Sequence, residues 1–289
     1  MKEANTEVIT GPLWAARNWS ADEGAGSIHD DATAAELGFR GGTVAGDVHM
    51  NQFPPVLIKV FGNEWFERGN LSLNFKNPTI DQEKVRVFAQ QRNAGADAVN
   101  VWMERDDGLL VAKGTASVGD HSLSELRHRD YRACDPSELR ILNRATPGLS
   151  LGEHHIHTSP TRQFQRFDTN VISDPLAWYR YDSPWGEPVA APCTVIEFLW
   201  GVPMAVLANY VGDSVGLFGA IEVGFNNGPL LMNRDYRLVS KVLCVGQSPQ
   251  TEFIWYETEA FNADNECVAT MLMQSRAMKA SSPEYADVF

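Results

Sequence analysis

Basic residues are scarce. The chain has 24 Lys+Arg against 37 Asp+Glu, a formal net charge of −13. That balance argues against a nucleic-acid backbone or an anionic membrane as partner, because both need a basic face. A small anionic ligand needs only a local basic mouth and stays open. Cysteine is scarce too. Cys134, Cys193, Cys244 and Cys267 form no C-x-x-C pair, and a chain this long needs no disulfide staples. Free thiols in a cytoplasmic protein are expected. The opening MKEANTEVIT lacks a basic n-region and an apolar h-region, so no secretory signal is expected. The longest apolar stretch, Val195 to Val211, is broken by Glu197, Gly201, Pro203 and Asn209. It falls short of the roughly 20 residues of a membrane span and reads as a core helix. No P-loop, G-x-G-x-x-G or G-x-S-x-G occurs, which removes the usual support for nucleotide binding and serine-hydrolase chemistry.

What is present is a repeat. The 289 residues fit two domains of ordinary composition, 44% hydrophobic and 21% charged. An offset of 150 carries Phe61-Gly62 onto Val211-Gly212, and Leu71, Leu73 and Phe75 onto Ile221, Val223 and Phe225. Asn77 falls on Asn227, and Trp102 meets Trp255 once the offset has grown to 153. Each half reads as an apolar helix (46–61 and 194–210) followed by a meander of strands. Prolines partway along each helix, Pro54-Pro55 and Pro203, predict a kink or a restart. LSLNF at 71–75 alternates as a strand with one buried face does. The expected fold is α+β, one helix packed on an antiparallel sheet, present twice. We place the first domain at 1–120, a charged connector with a short helix at 121–160, and the second domain at 161–289. SSPEYADVF reads as a loose tail.

The segment Ser27 to Met50 reads SIHDDATAAELGFRGGTVAGDVHM. Its His29-Asp30-Asp31, the Ala-rich 32–37, Gly38-Phe39 and the turn Gly41-Gly42-Thr43-Val44-Ala45-Gly46 lead into the apolar helix and the meander. In motif and element order this resembles the MaoC-like branch of the hot-dog fold, which includes (R)-specific enoyl-CoA hydratases. The motif covers about 20 residues and the element order most of the chain. The resemblance implies two tandem hot-dog domains, each a long helix wrapped by an antiparallel sheet. It also implies an acyl thioester substrate on coenzyme A or a carrier protein, no cofactor, and a homodimer favoured by the outer sheet edges.

The implied chemistry is addition or removal of water across an enoyl or 3-hydroxyacyl thioester. It needs a base for water, an acid for the α-carbon and donors for the thioester oxygen. His29 is the candidate acid/base. In the hydratases an Asp stands five residues before the His; here that position is Gly24. Asp30 or Asp31 is therefore the candidate partner, with Asp22 and Glu23 as further carboxylates; Asp30 and Asp31 also suit the cap of the short helix. Gly46, opening the long helix, is placed to offer its N–H. His49 is a candidate pocket residue standing in for the missing partner, Gly41 and Gly42 shape the turn, and Arg40 is a candidate phosphate ligand. Asn74 and Asn77 read as turn or edge residues. His154-His155-x-His157 lacks a further ligand and carries no metal assignment.

In the second half the 150 offset puts Tyr179 where His29 stands and Ile196 where Gly46 stands. The site is therefore assigned to the first half, the second supplying a wall. Arg162, Arg166, Trp178, Tyr179 and Trp185 are candidates for the mouth. A thioesterase, a lyase or cyclase on the same fold, and a non-catalytic acyl-binding subunit are the alternatives.

Overall fold

The computed structural model describes residues 7–21, 26–93 and 95–289. The carboxylates Asp22 and Glu23 and the position Gly24 lie outside them. The first half opens with two short strands, β1 (Val8–Thr10) and β2 (Trp14–Ala15), and the helix α1 (Asp31–Glu36). Three helical pieces follow: α2 (Gly46–Met50), α3 (Pro54–Phe61) and α4 (Glu64–Arg68). The strands β3 (Gly69–Phe75), β4 (Lys84–Gln90), β5 (Ala98–Arg105) and β6 (Leu110–Val118) complete the half. The second half holds β7 (Ser150–His157), α5 (Thr161–Asp168), α6 (Pro192–Leu207), β8 (Gly216–Phe225), β9 (Asp235–Gln247), β10 (Thr251–Phe261) and β11 (Cys267–Met278).

The described strands form one antiparallel sheet in the order β1-β4-β5-β6-β3-β8-β11-β10-β9-β7, with β2 on β4. The order mirrors itself about the β3–β8 seam, so each strand of the main order in one half has a counterpart in the other, β2 alone among the described strands standing outside the symmetry. In the seam Ser72 faces Glu222. The repeat offset of 150 carries one of these residues onto the other, so the local two-fold axis passes between them. The α+β repeat read from the sequence is thus present as two half-sheets fused edge to edge.

The prolines act differently in the two halves. The first helix stops at Asn51 and restarts at Pro54, where a proline at the first helical position loses no helical hydrogen bond. The second runs through Pro203 as one helix of 16 residues. Its N-terminal part is buried, while Val202 farther along stays exposed.

Three sequence readings are revised. β3 is buried on both faces rather than one. Leu71 and Leu73 join the main core, while Ser72 meets the Thr115 hydroxyl at 3.0 Å. On this polar side the connector covers the seam, with Ser124 and Arg127 reaching the fully buried Glu222. Residues 150–157 are not connector in form: β7 is the edge strand paired with β9. The C-terminal stretch is anchored, because Tyr285 is buried and its hydroxyl donates to Glu252 at 2.6 Å.

Candidate active site

His29 lies in the loop before α1, fixed from several sides. Asn18 Nδ2 donates to its carbonyl oxygen at 2.8 Å, and its own N–H reaches Ser27 Oγ at 3.2 Å. Its Nδ1 stands 2.7 Å from the carbonyl oxygen of Thr43. A carbonyl only accepts, so Nδ1 carries the proton, and in the neutral ring the lone pair is on Nε2. That is the tautomer a general base needs. The turn 41–44 is pinned in its own right: Thr43 N–H donates to the Ile28 carbonyl at 2.8 Å and Val44 N–H to the Thr79 carbonyl at 2.8 Å. Gly42 has a packing reason, since a Cβ there would collide with the His29 carbonyl oxygen.

The two aspartates beside His29 do not pair with it. Asp30 caps α1, accepting from Thr33 N–H at 3.1 Å and Thr33 Oγ1 at 2.8 Å, which holds its carboxyl below the ordinary value. Asp31 accepts from the Gly42 N–H at 2.6 Å and so ties the loop to the turn. Both are engaged as local scaffold. The reason is short-range: a carboxylate one or two residues from His29 is captured by backbone donors before it reaches the ring.

The nearby carboxylate is one that sequence reading passed over. Asp47, the second residue of α2, feels the charges of His29 and Arg166. Burial raises its pKa and is the largest influence; Arg166 and His29 oppose the rise. Its Oδ1 is sealed from solvent without a hydrogen-bond partner among the described residues. The 150 offset carries Asp47 onto Glu197, and Arg166 also meets Glu197 at 2.7 Å. An acidic residue at both repeat positions was the available signal.

His29 stands on the wall of a cavity of about 620 Å³. Both halves line it: Gly46, His49 and Phe75 from the first, Trp200, Phe218 and Arg276 from the second. Val44 and Met204 add to an apolar wall. His29 also borders a polar cleft on its other side with Asp30, Asp31, Arg40, Gly41 and Gly42. A Cβ on Gly46 would stand 2.6 Å from the Phe75 ring, so glycine is what lets that ring pack against the start of α2 on the cavity wall. As the first residue of α2, Gly46 has an N–H with no acceptor inside the helix.

His49 is fully buried on the same wall, with Nε2 at 2.7 Å from Thr79 Oγ1. Burial lowers its pKa to about 4, so it is neutral at pH 7. Arg40 is engaged elsewhere, forked onto Glu83 at 2.7 and 2.9 Å, and does not line the cavity. Asn77 lines it and donates to the Leu110 carbonyl at 2.8 Å; Asn74 is buried and accepts from Arg129. Trp178, Tyr179 and Trp185 do not reach the mouth, because they pack around Phe66. Arg162 and Arg166 pair with Glu197 at 2.7 Å each.

The second half keeps a trace of the same plan. The 150 offset carries Gly24 onto Asp174 and His29 onto Tyr179. These two meet in the interior, where burial lifts the Asp174 pKa to about 6 and Tyr179 is fully buried. The His154, His155 and His157 side chains lie along β7 and form no metal cluster among the described residues. His154 contacts the Leu151 carbonyl and His157 contacts Asp235, each at 2.8 Å.

No family model matches the sequence. No curated protein matches it either. Solved structures do. A MaoC-like dehydratase shares 13% identity at a TM-score of 0.56, with 94% of this chain and 98% of that one covered. A protein from Chloroflexus aurantiacus described as a MaoC domain dehydratase gives 10% identity and a TM-score of 0.63, covering 94% and 95%. A Mycobacterium tuberculosis protein described as having a double hot-dog fold gives 12% identity and a TM-score of 0.58, covering 95% and 96%. The resemblance read from the His29 segment therefore holds at the level of the fold over nearly the whole chain, and the protein has a double hot-dog fold.

Proposed function

We propose that the protein is a hydratase or dehydratase of enoyl or 3-hydroxyacyl thioesters, with its acid–base centre at His29. One observation carries this reading: an imidazole on the wall of a largely apolar cavity whose Nδ1 is committed to the Thr43 carbonyl, leaving Nε2 as a base. In the hydration direction Nε2 takes a proton from water while the hydroxyl oxygen bonds to the β-carbon. The electron pair of the double bond moves toward the thioester oxygen, which the Gly46 N–H is placed to receive. The imidazolium then returns its proton to the α-carbon, so one water is added and the His is regenerated. Asp47 supports the transient imidazolium by charge rather than by a direct bond, in place of Asp30 or Asp31. The neutral His49 shapes the wall.

The test is product analysis on a series of trans-2-enoyl-CoA substrates. The reading expects loss of the enoyl absorbance without release of free thiol. Thiol release with the enoyl band intact would assign a thioesterase instead. Ligand protection with no turnover on any chain length would assign a binding subunit.

A further inference from the structure

We propose that the cation-lined end of the cavity is a subsite for the phosphate of the thioester's carrier, an inference that rests on the acyl-thioester reading above. Lys76 directly follows β3, and Arg276 stands near the end of β11; both line the cavity. Arg276 is held in place by a 3.3 Å hydrogen bond to Thr251 Oγ1, with its guanidinium 5.9 Å from the centre of the Phe253 ring. Arg129 and Lys113 adjoin them. Burial first, then the charges of Arg129, Lys113 and Arg276, hold the Lys76 ammonium below its ordinary value. None of the four cations makes an ion pair with a described residue. Arg129 donates to the neutral Asn74, and Glu125 is the carboxylate whose charge reaches Lys76.

Such a cluster is costly, because like charges repel and two of them are partly desolvated. It is more notable in a chain of net charge −13, where acidic partners are abundant. An anion seated between Lys76 and Arg276 would offset both costs. The position selects the anion. Lys113 is exposed and Arg129 half-buried, so the cluster runs out to solvent. A group held there is still at the entrance once the acyl portion has passed the apolar wall toward His29. In an acyl thioester that group is the phosphate of the pantetheine arm or of the coenzyme's nucleotide.

Calorimetric titration needs no turnover and tests this directly. The ligands are coenzyme A, 4′-phosphopantetheine, pantetheine and succinyl-pantetheine; the proteins are wild type, Lys76→Gln and Lys76→Gln/Arg276→Gln. Coenzyme A affinity is expected to fall about tenfold in the double variant and about threefold in Lys76→Gln, with pantetheine unchanged. The exposed Lys76 makes the single variant safe for folding should Arg276→Gln not fold. A matching loss for phosphopantetheine places the arm's phosphate in the subsite, as free coenzyme or carrier protein would present it. A loss confined to coenzyme A places the nucleotide phosphates there. Equal coenzyme A affinity in wild type and Lys76→Gln overturns the proposal, as does a loss seen only with succinyl-pantetheine, whose anion is on the acyl side. Binding that follows these rules without turnover of any enoyl thioester would sink the hydratase reading and leave the subsite. Turnover of crotonyl-CoA with KM unchanged in the variants would do the reverse.

Discussion

At the scale of single residues, the candidate site depends on a backbone carbonyl choosing a tautomer. Thr43 fixes the proton on Nδ1 of His29, and Gly42 lets the two segments approach closely enough to do so. Gly42→Ala should therefore damage the site without touching a reacting atom: kcat/KM is expected to fall about a hundredfold, checked by steady-state kinetics on crotonyl-CoA. A normal kcat/KM in a folded Gly42→Ala protein would contradict that role. Asp47→Asn should lower kcat by about tenfold and leave KM nearly unchanged, because its carboxylate acts through the imidazolium formed during the reaction. An Asp47→Asn enzyme altered only in KM would remove it from the chemistry. His29 itself was legible in the sequence from its motif. Asp47 was not, because a lone acid after a glycine looks like any first-turn helix residue. Its relation to His29 exists only once α2 is laid beside the loop.

At the scale of elements, loops and strands are held by buried charge. Glu252, fully buried in β10, accepts from the backbone N–H groups of Arg140 at 2.8 Å and Leu142 at 2.8 Å, and from Tyr285. One carboxylate thus ties the connector and the C-terminal stretch to the second half-sheet. Glu252→Ala should cost on the order of 3 kcal/mol in chemical denaturation, since it strands several buried donors; a loss below about 1 kcal/mol would show the clamp to be dispensable. A second prediction concerns pH. The Asp174 pKa is raised from 3.8 to about 6. Between those values the folded state keeps a proton that the unfolded chain releases, so this group's stabilisation is present at low pH and lost as pH rises toward 6. His49, lowered from 6.5 to about 4, acts oppositely: its burial costs stability at low pH and the cost vanishes as pH rises. The two slopes offset each other. Asp174→Asn removes the first, so the variant's stability should climb more steeply than wild type between pH 4.5 and 6.5. Parallel profiles for the two proteins would refute the assignment. Periodicity made most strands legible. It missed the two-faced burial of β3, because a polar face under a connector looks the same in sequence as one under water.

At the scale of the whole molecule, the β3–β8 seam makes two repeats one sheet, and the cavity draws its walls from both. The repeat and the α+β class were readable from element order. That the second half supplies a wall was readable too; that Trp200, Phe218 and Arg276 form it rather than Trp178, Tyr179 and Trp185 was not, because that depends on which edges meet. Neither half should behave as an independent unit: chemical denaturation followed by tryptophan fluorescence and by circular dichroism should give coincident transitions. Two separated transitions would show the halves to be autonomous. The measurement closest to the central claim is hydration of crotonyl-CoA, followed as loss of enoyl absorbance, with wild type and His29→Ala side by side at equal folded concentration. The account predicts turnover in wild type and a loss of about 10²- to 10⁴-fold on removing His29. Equal rates in the two proteins would contradict it, and would move the chemistry away from His29.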